Sequence, residues 1–361
     1  MQNVLVPHIF IRPRRISLED RYLFVRQLHV LQKAGVPILA SLQALEHQLA
    51  AGALKQTLQV VSQDLLNGTP LSQAFARHPE SFDPLFVGLI RVGEAGGLLE
   101  EVLKRLTQLC EWELELNARI KQALQYPLIV LATLTVALTV MVLFVLPRFV
   151  TFFGTMKIQL PFQTRLVLFV SRLLVHYGWL IGLAVVAALG TWWWYVRTER
   201  GQLWWHTRLL RLPILGPLFL QLAMSRFSRT VAALTASGIP MLETLALAGE
   251  SVNNKYIQRG VGQVRERVQG GEPLARAFQR DGLFPPVVIQ MVATGEETGK
   301  IDELLHSVSD YYDQQAAYML RKLITYIEPA LLVIVAMGVL LMATAVFVPM
   351  WDMVKLFKQG G

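Results

Sequence analysis

One cysteine in 361 residues, Cys110, leaves no partner for an intrachain disulfide and too few thiolates for a zinc cluster. A buried structural thiol is the role it is expected to fill. Catalytic constellations are missing as well. The seven histidines are scattered, with no HExxH and no pair at metal-ligand spacing. Gly295-Glu-Glu-Thr-Gly299-Lys300-Ile301 has a passing likeness to a phosphate loop, but it is one residue short and offers Ile301 where a magnesium-binding Ser or Thr is required. No aspartate falls in the long apolar runs, which excludes an intramembrane aspartyl peptidase. The chain reads as non-catalytic, with no cofactor and no metal. Nor is there a strongly basic face: the net charge of +8 spreads as +1 over residues 1–126, +4 over 148–176, +2 over 197–328 and +1 over 350–361. Direct contact with nucleic acid is therefore not expected. The N-terminus, MQNVLVPHIFIRPRR, lacks the long apolar region and small-residue cleavage site of a signal peptide, so the first 126 residues are expected to stay in the cytoplasm.

What the sequence has in abundance is apolar runs. Residues 329–349 read PALLVIVAMGVLLMATAVFVP and residues 127–147 read PLIVLATLTVALTVMVLFVLP, equal in length, bounded by prolines, and 202 residues apart. At 1.5 Å of rise per residue each is long enough to cross a hydrocarbon core of ~30 Å as a helix. A third run, residues 173–196, closes on Trp192-Trp193-Trp194-Tyr195 beside Arg197, a combination favoured at a membrane–water boundary. No charged residue falls inside the three runs, where one would cost ~2.5–3.5 kcal/mol. A content of 53% hydrophobic against 17% charged residues agrees with a membrane protein.

The remainder is folded soluble material in two copies. Strand-like alternation is absent, while Ile38, Leu42, Leu45 and Leu49, and again Leu54, Leu58, Val61 and Leu65, make helical stripes. Ala34-Gly35-Val36-Pro37 matches Ser237-Gly238-Ile239-Pro240, and Gly68-Thr-Pro-Leu71 with Ala74-Phe75 matches Gly271-Glu-Pro-Leu274 with Ala277-Phe278. Gly93-Glu94 with Gly97 then matches Gly295-Glu296 with Gly299. The expected fold is an all-α integral membrane protein with two tandem six-helix lobes and three transmembrane helices. Its parts are an arm (1–20), a first lobe (21–126), a span (127–147), a periplasmic connector (148–172), a second span (173–196), a second lobe (197–328), a third span (329–349) and a periplasmic tail (350–361). Two spans separate the lobes, which puts both lobes on one side. Eight Lys or Arg residues flank the spans on that side against six on the other, a slight positive-inside bias.

Within this frame several residues are candidates for a role. Each Gly-Glu-x-x-Gly stretch precedes a long helix, so Glu94 and Glu296 are expected near a helix N-terminus, where a carboxylate gains ~0.3–1 kcal/mol. Two readings stand: caps that fix a tight turn, or acids facing a partner or a cation, with Asp302 reinforcing the second copy. Gly35, Pro37, Gly238 and Pro240 are expected to shape turns, as are Gly93, Gly97, Gly295 and Gly299. The helix that starts near Leu98 is expected to run on toward the membrane at Pro127, where proline is tolerated as a first-turn residue. Gly178 and Gly182 form a GxxxG suited to close helix packing. Glu328 is the one acid at a span boundary, with Tyr126 as its counterpart, and is either interfacial or a partner contact.

Taken together, the paired motifs, including SGIPMLETLALAGESVNN (237–254) and GEETGKIDELL (295–305), resemble the type II secretion F proteins and type IV pilus platform proteins of the inner membrane. The resemblance covers nearly the whole chain from residue 21. It departs in the short arm and in GEAGGLLE, which lacks the Asp that follows this loop in the family. It implies a non-enzymatic inner-membrane scaffold whose cytoplasmic lobes contact a hexameric assembly ATPase. The spans would receive pilin or pseudopilin subunits, alongside other inner-membrane assembly components and membrane lipid, and the chain would act as a homo-oligomer. Two other classes are a membrane adaptor whose lobes bind a different partner, and a small transporter, which would need the mid-membrane polar groups or broken helices that these spans lack.

Overall fold

The computed structural model describes residues 16–141, 144, 162–213 and 215–359, and among them every regular element is helical. The first repeat runs α1 (Leu18–Lys33), α2 (Ile38–Gln48), α3 (Ala53–Leu66), α4 (Leu71–Ala76), α5 (Pro84–Gly96) and α6 (Leu99–Val140). Two helices without counterparts come next, α7 (Phe162–Arg197) and α8 (Glu199–Arg211). The second repeat is α9 (Leu215–Ala236), α10 (Met241–Ser251), α11 (Lys255–Gln269), α12 (Leu274–Asp281), α13 (Pro286–Thr298) and α14 (Ile301–Gln359). The chain divides into two compact units: Met1–Ala118 with Leu209–Ala316, and Arg119–Arg208 with Ala317–Gly361.

The duplicated motifs mark the helix boundaries of the first unit. Gly35 and Gly238 carry a positive φ just after α1 and α9, and Pro37 and Pro240 then stand at the N-caps of α2 and α10 with nearly identical dihedrals. Each repeat is centred on phenylalanines, three of which stand at matching positions. Phe24, Phe75, Phe82 and Phe86 interlock at centroid separations of 4.5–6.2 Å, and Phe227, Phe278 and Phe284 at 4.4–5.9 Å, mostly edge to face or tilted. Leu28, Leu42, Leu58 and Leu89 fill the rest of the first core, and Val231, Leu245, Val261 and Val292 the second. The two repeats also pack on each other, since Leu234, Ile239 and Leu247 join the first core. Leu247 of α10 lies over Gly88 of α5 so closely that a Cβ on Gly88 would stand 2.8 Å from its Cδ1.

Three sequence expectations need correction. Gly93–Gly96 is not a loop but the last turn of α5, and only Gly97 leaves the helix, at φ +67°. Its partner Gly299 does the same after α13 at +73°. In both copies the residue after the glycine donates back to the first glycine of the motif, Leu98 N–H to the Gly93 carbonyl at 2.8 Å and Lys300 N–H to that of Gly295 at 3.1 Å, a helix stop that needs a left-handed residue. Second, Pro127 lies inside the continuous helix α6 and not in a first turn, and Pro329 likewise lies inside α14. Each forfeits one backbone hydrogen bond and crowds the carbonyl four residues back, at Ala123 and Thr325. Third, α7 begins at Phe162, within the stretch read as a connector, and α14 continues through Pro349 to Gln359.

In the second unit, α6 and α14 contain segments long and apolar enough to cross a membrane, and only 6% of each apolar window is buried within the chain. A core helix of a soluble protein would be largely covered. The α6 and α14 segments meet at Gly338, where an added Cβ would touch Leu134 at 3.4 Å. Gly182, by contrast, has open space where its side chain would be. Gly178 shares that helix, but its surroundings lie outside the described residues.

Candidate interaction site

The twin glutamates cap helices, but not the ones next in the chain. α4 and α12 begin directly after Pro70 and Pro273, which offer no side-chain acceptor to the open N–H groups of the first turn. The chain folds back through α5 and α13 so that their last turns deliver a carboxylate there. Glu94 accepts from Leu71 N–H (2.5 Å), Ser72 N–H (3.1 Å) and the Ser72 hydroxyl (2.6 Å). Glu296 accepts from Leu274 N–H (2.8 Å) and Ala275 N–H (3.0 Å). Gly93 and Gly295, one residue earlier, allow this turn to lie against the start of the next helix. A Cβ on Gly295 would stand 2.9 Å from Ile301 Cα, and one on Gly93 3.1 Å from Val102 Cβ.

A band of charge, unnoticed in the sequence, joins the repeats of the first unit. Glu113 of α6 accepts from Arg21 of α1 (2.9 Å) and from Arg226 of α9 (2.8 Å), and Arg21 also pairs with Asp83 (2.9 Å). Beside it, Trp112 donates its indole N–H to Asp313 of α14 (2.9 Å), lies under the guanidinium groups of Arg226 and Arg229, and shares Asp313 with Arg229 (2.6 Å) and the Ser225 hydroxyl. Arg229 reaches Asp310 as well (2.8 Å). Arg105 of α6 donates to Ser237, and Arg91 of α5 pairs with Glu243 of α10. One signal in the sequence pointed this way: Arg26 recurs as Arg229 and Glu111 as Asp313, at the spacings of the repeat. Among the described residues the first pair is linked through Tyr22, with Arg26 and Glu111 both reaching its hydroxyl.

Around this band the environment is tuned by burial. Burial works against the Arg21 charge, but Asp83, Cys110 and Glu113 outweigh it and raise its pKa. Cys110, buried as expected, has its thiol pushed up to about 11 by burial, with Arg21 pulling the other way. A cavity of about 270 Å³ opens here between Arg21, Asp83, Cys110, Glu113, Arg226 and Glu250. Asp302, half-buried on the first turn of α14, lines a separate groove with Arg105, Gln108, Arg229, Ala233 and His306. Among the described residues no three His, Cys, Asp or Glu side chains converge as a metal site. Glu328 is exposed one residue before Pro329 and makes no ion pair among the described residues.

The repeat architecture has a clear relative. The profile of the type II secretion system protein F family matches residues 24–147 and again 227–349. The chain belongs to this family. Among curated members of the family, the type II secretion system protein F of Aeromonas hydrophila is 31% identical over 94% of this chain and 88% of its own length. The type 4 fimbrial assembly protein PilC of Pseudomonas putida is 32% identical over 94% and 85%. The type IV pilus assembly protein PilC of Thermus thermophilus is 32% identical over 94% and 83%. The two profile matches begin within α1 or α9, take in α2–α5 or α10–α13 and run on to the end of the apolar segment behind them, so a family F domain comprises most of a helical repeat together with its apolar helix.

Proposed function

We propose that this F-family protein is the inner-membrane platform of a type II secretion or type IV pilus machine. The observation that carries the reading is the path of α6 and α14. Each begins in the ion-paired first unit and continues unbroken into an apolar segment of the second. A force applied to the helical repeats would reach the membrane without crossing a loop. In this reading the two repeats are six-helix cytoplasmic lobes, α7 is a third span, and the chain works as a homo-oligomer without catalysis of its own. The lobes engage a hexameric assembly ATPase, and the spans receive pilin-like subunits as they leave the bilayer. The names of the relatives, secretion protein F and pilus assembly protein PilC, support this assignment.

Partner contact is assigned to the exposed acids around the twin turns, with Glu94 and Glu296 shaping the surface, Asp302 in its groove, and Glu328 at the span boundary. The test is co-purification of the detergent-solubilised chain with the assembly ATPases and pilin-like proteins of its host. Retention of an ATPase, and its loss when Glu100, Glu101, Asp302 and Glu303 are reversed to Lys in a chain of unchanged helicity, is the expected result. Failure to retain either partner under conditions that preserve the oligomer would favour an adaptor with a different ligand.

A further inference from the structure

We propose that the corner between α7 and α8 binds the headgroups of anionic phospholipids. The inference goes beyond the platform role and rests on its assignment of residues 173–196 to a membrane. The corner has a fixed shape. α7 ends at Arg197, and the Thr198 N–H returns to the Tyr195 carbonyl (3.1 Å). The Thr198 hydroxyl donates to the same oxygen (2.7 Å) and accepts from the Gly201 N–H (3.2 Å). Gly201 is buried inside the bend, where any Cβ would overlap the Tyr195 carbonyl oxygen, so glycine is required for α8 to close on the end of α7. That closure sets Trp192 edge-on against Trp204 and Trp205, at centroid separations of 6.3 and 5.3 Å.

What the corner turns outward is aromatic and basic. Trp193 and Trp194 are 60% and 72% exposed at the end of an apolar helix. The Arg197 guanidinium lies 3.5 Å over the Trp193 ring, and that of Arg208 lies 5.5 Å over Trp204. Arg200, Trp204 and Arg208 succeed one another at intervals of four and so share one face of α8. All three arginines are exposed, and none makes an ion pair among the described residues. Glu199 is the one carboxylate between residues 192 and 208. The same pairing recurs in this unit below a second apolar segment, where Lys322 lies 5.9 Å over Tyr326 next to Arg321.

These features select an occupant. A guanidinium binds phosphate through two parallel N–H groups, and stacking on an indole holds the fork in place while leaving its edge open. Indoles settle at headgroup depth, which fixes the level at which the arginines present themselves. A soluble anion would meet the charges but gain nothing from Trp193 and Trp194, and an acidic protein would have to sit against lipid. A lipid phosphate with its acyl chains along α7 uses both halves of the surface. A basic group at an anionic leaflet is worth about a fivefold preference.

The test uses the full chain reconstituted in phosphatidylcholine vesicles containing a minor share of phosphatidylglycerol, with retained lipids counted by native mass spectrometry after gentle extraction. The native chain is expected to retain phosphatidylglycerol well above its share, and R197Q/R200Q/R208Q to lower that enrichment by at least about tenfold. Equal enrichment in the variant, or displacement of the lipid by inorganic phosphate, would overturn the site. So would a native chain that floats with the vesicles yet shows no enrichment, whereas a chain that does not float would refute the membrane assignment itself. If the triple variant loses helicity, R200Q on its exposed face takes its place, with an expected drop of about fivefold. An unchanged value would refute the proposal equally.

Discussion

Replacing Glu94 by Ala removes the acceptor shared by three donors at the start of α4: two backbone N–H groups and the Ser72 hydroxyl. Loss of an N-terminal cap costs about 1 kcal/mol, and hydrogen bonds to a charged group are worth about 1.5–3 kcal/mol each when not recovered from water. Glu94 is half-buried, so water regains part of this, and a net loss of about 2–3 kcal/mol is expected. Glu296 is exposed and serves two donors, so Glu296→Ala should cost only about 1 kcal/mol. Glu94→Gln keeps an acceptor without the charge and should fall between native and Glu94→Ala. Thermal unfolding of the full chain in one detergent, followed by helical circular dichroism, reads the series. At this size about 2–4 °C is lost per kcal/mol, which places Glu94→Ala roughly 4–12 °C below native. Equal melting of native and Glu94→Ala, or a larger effect at Glu296, would refute the capping argument and return both acids to partner contacts alone.

Other substitutions probe separate features. Gly295→Ala should destabilise by about 1–3 kcal/mol, because its Cβ meets backbone at Ile301, and more than Gly93→Ala, whose nearest atoms belong to the Val102 side chain; chemical denaturation of both variants checks the order. Asp313→Ala strips Arg229, Ser225 and Trp112 of a shared acceptor and should cost about 2–4 kcal/mol, against about 1 kcal/mol for Trp112→Phe, by the same measurement. Cys110 carries a pH signature. Its thiol is moved from 9.0 to about 11, so folding favours the neutral form. The resulting stability is complete below pH 9 and disappears as pH rises through about 11, roughly 2–3 kcal/mol in all. Native chain minus Cys110→Ala, compared across that window, isolates it from Tyr312, whose hydroxyl burial moves to about 12.

The division of the chain into repeats and apolar helices was legible because duplication writes each boundary twice. Gly35-Val-Pro37 and Ser237-Gly-Ile-Pro240 agree on where a helix stops, and Phe75 and Phe278 each fall in an aromatic centre. The target of Glu94 was not legible. Its nearest helix start in sequence is α6, and only the fold-back of α5 on α4 brings it to Leu71, 23 residues away. Pro127 misled for a different reason, since proline rules describe helix interiors in water, whereas in a long helix one lost hydrogen bond is outweighed by the turns on either side. The charge band through Glu113 and Trp112 left little trace, because pairs separated by 92 to 201 residues impose no periodicity.

The knob of Leu247 on the bare backbone of Gly88 is a head-to-tail contact between two copies of one fold, and such contacts, once repeated, grow into open strings. In this chain the series stops at two. The position on α13 that corresponds to Gly88 is Gln290, an exposed residue with a side chain where Gly88 has none, and the position on α2 that corresponds to Leu247 is Ala44, which ends at its Cβ. Neither half of the Leu247–Gly88 contact is thus repeated on the other copy, and the sequence that duplicated the fold did not duplicate the means of extending it.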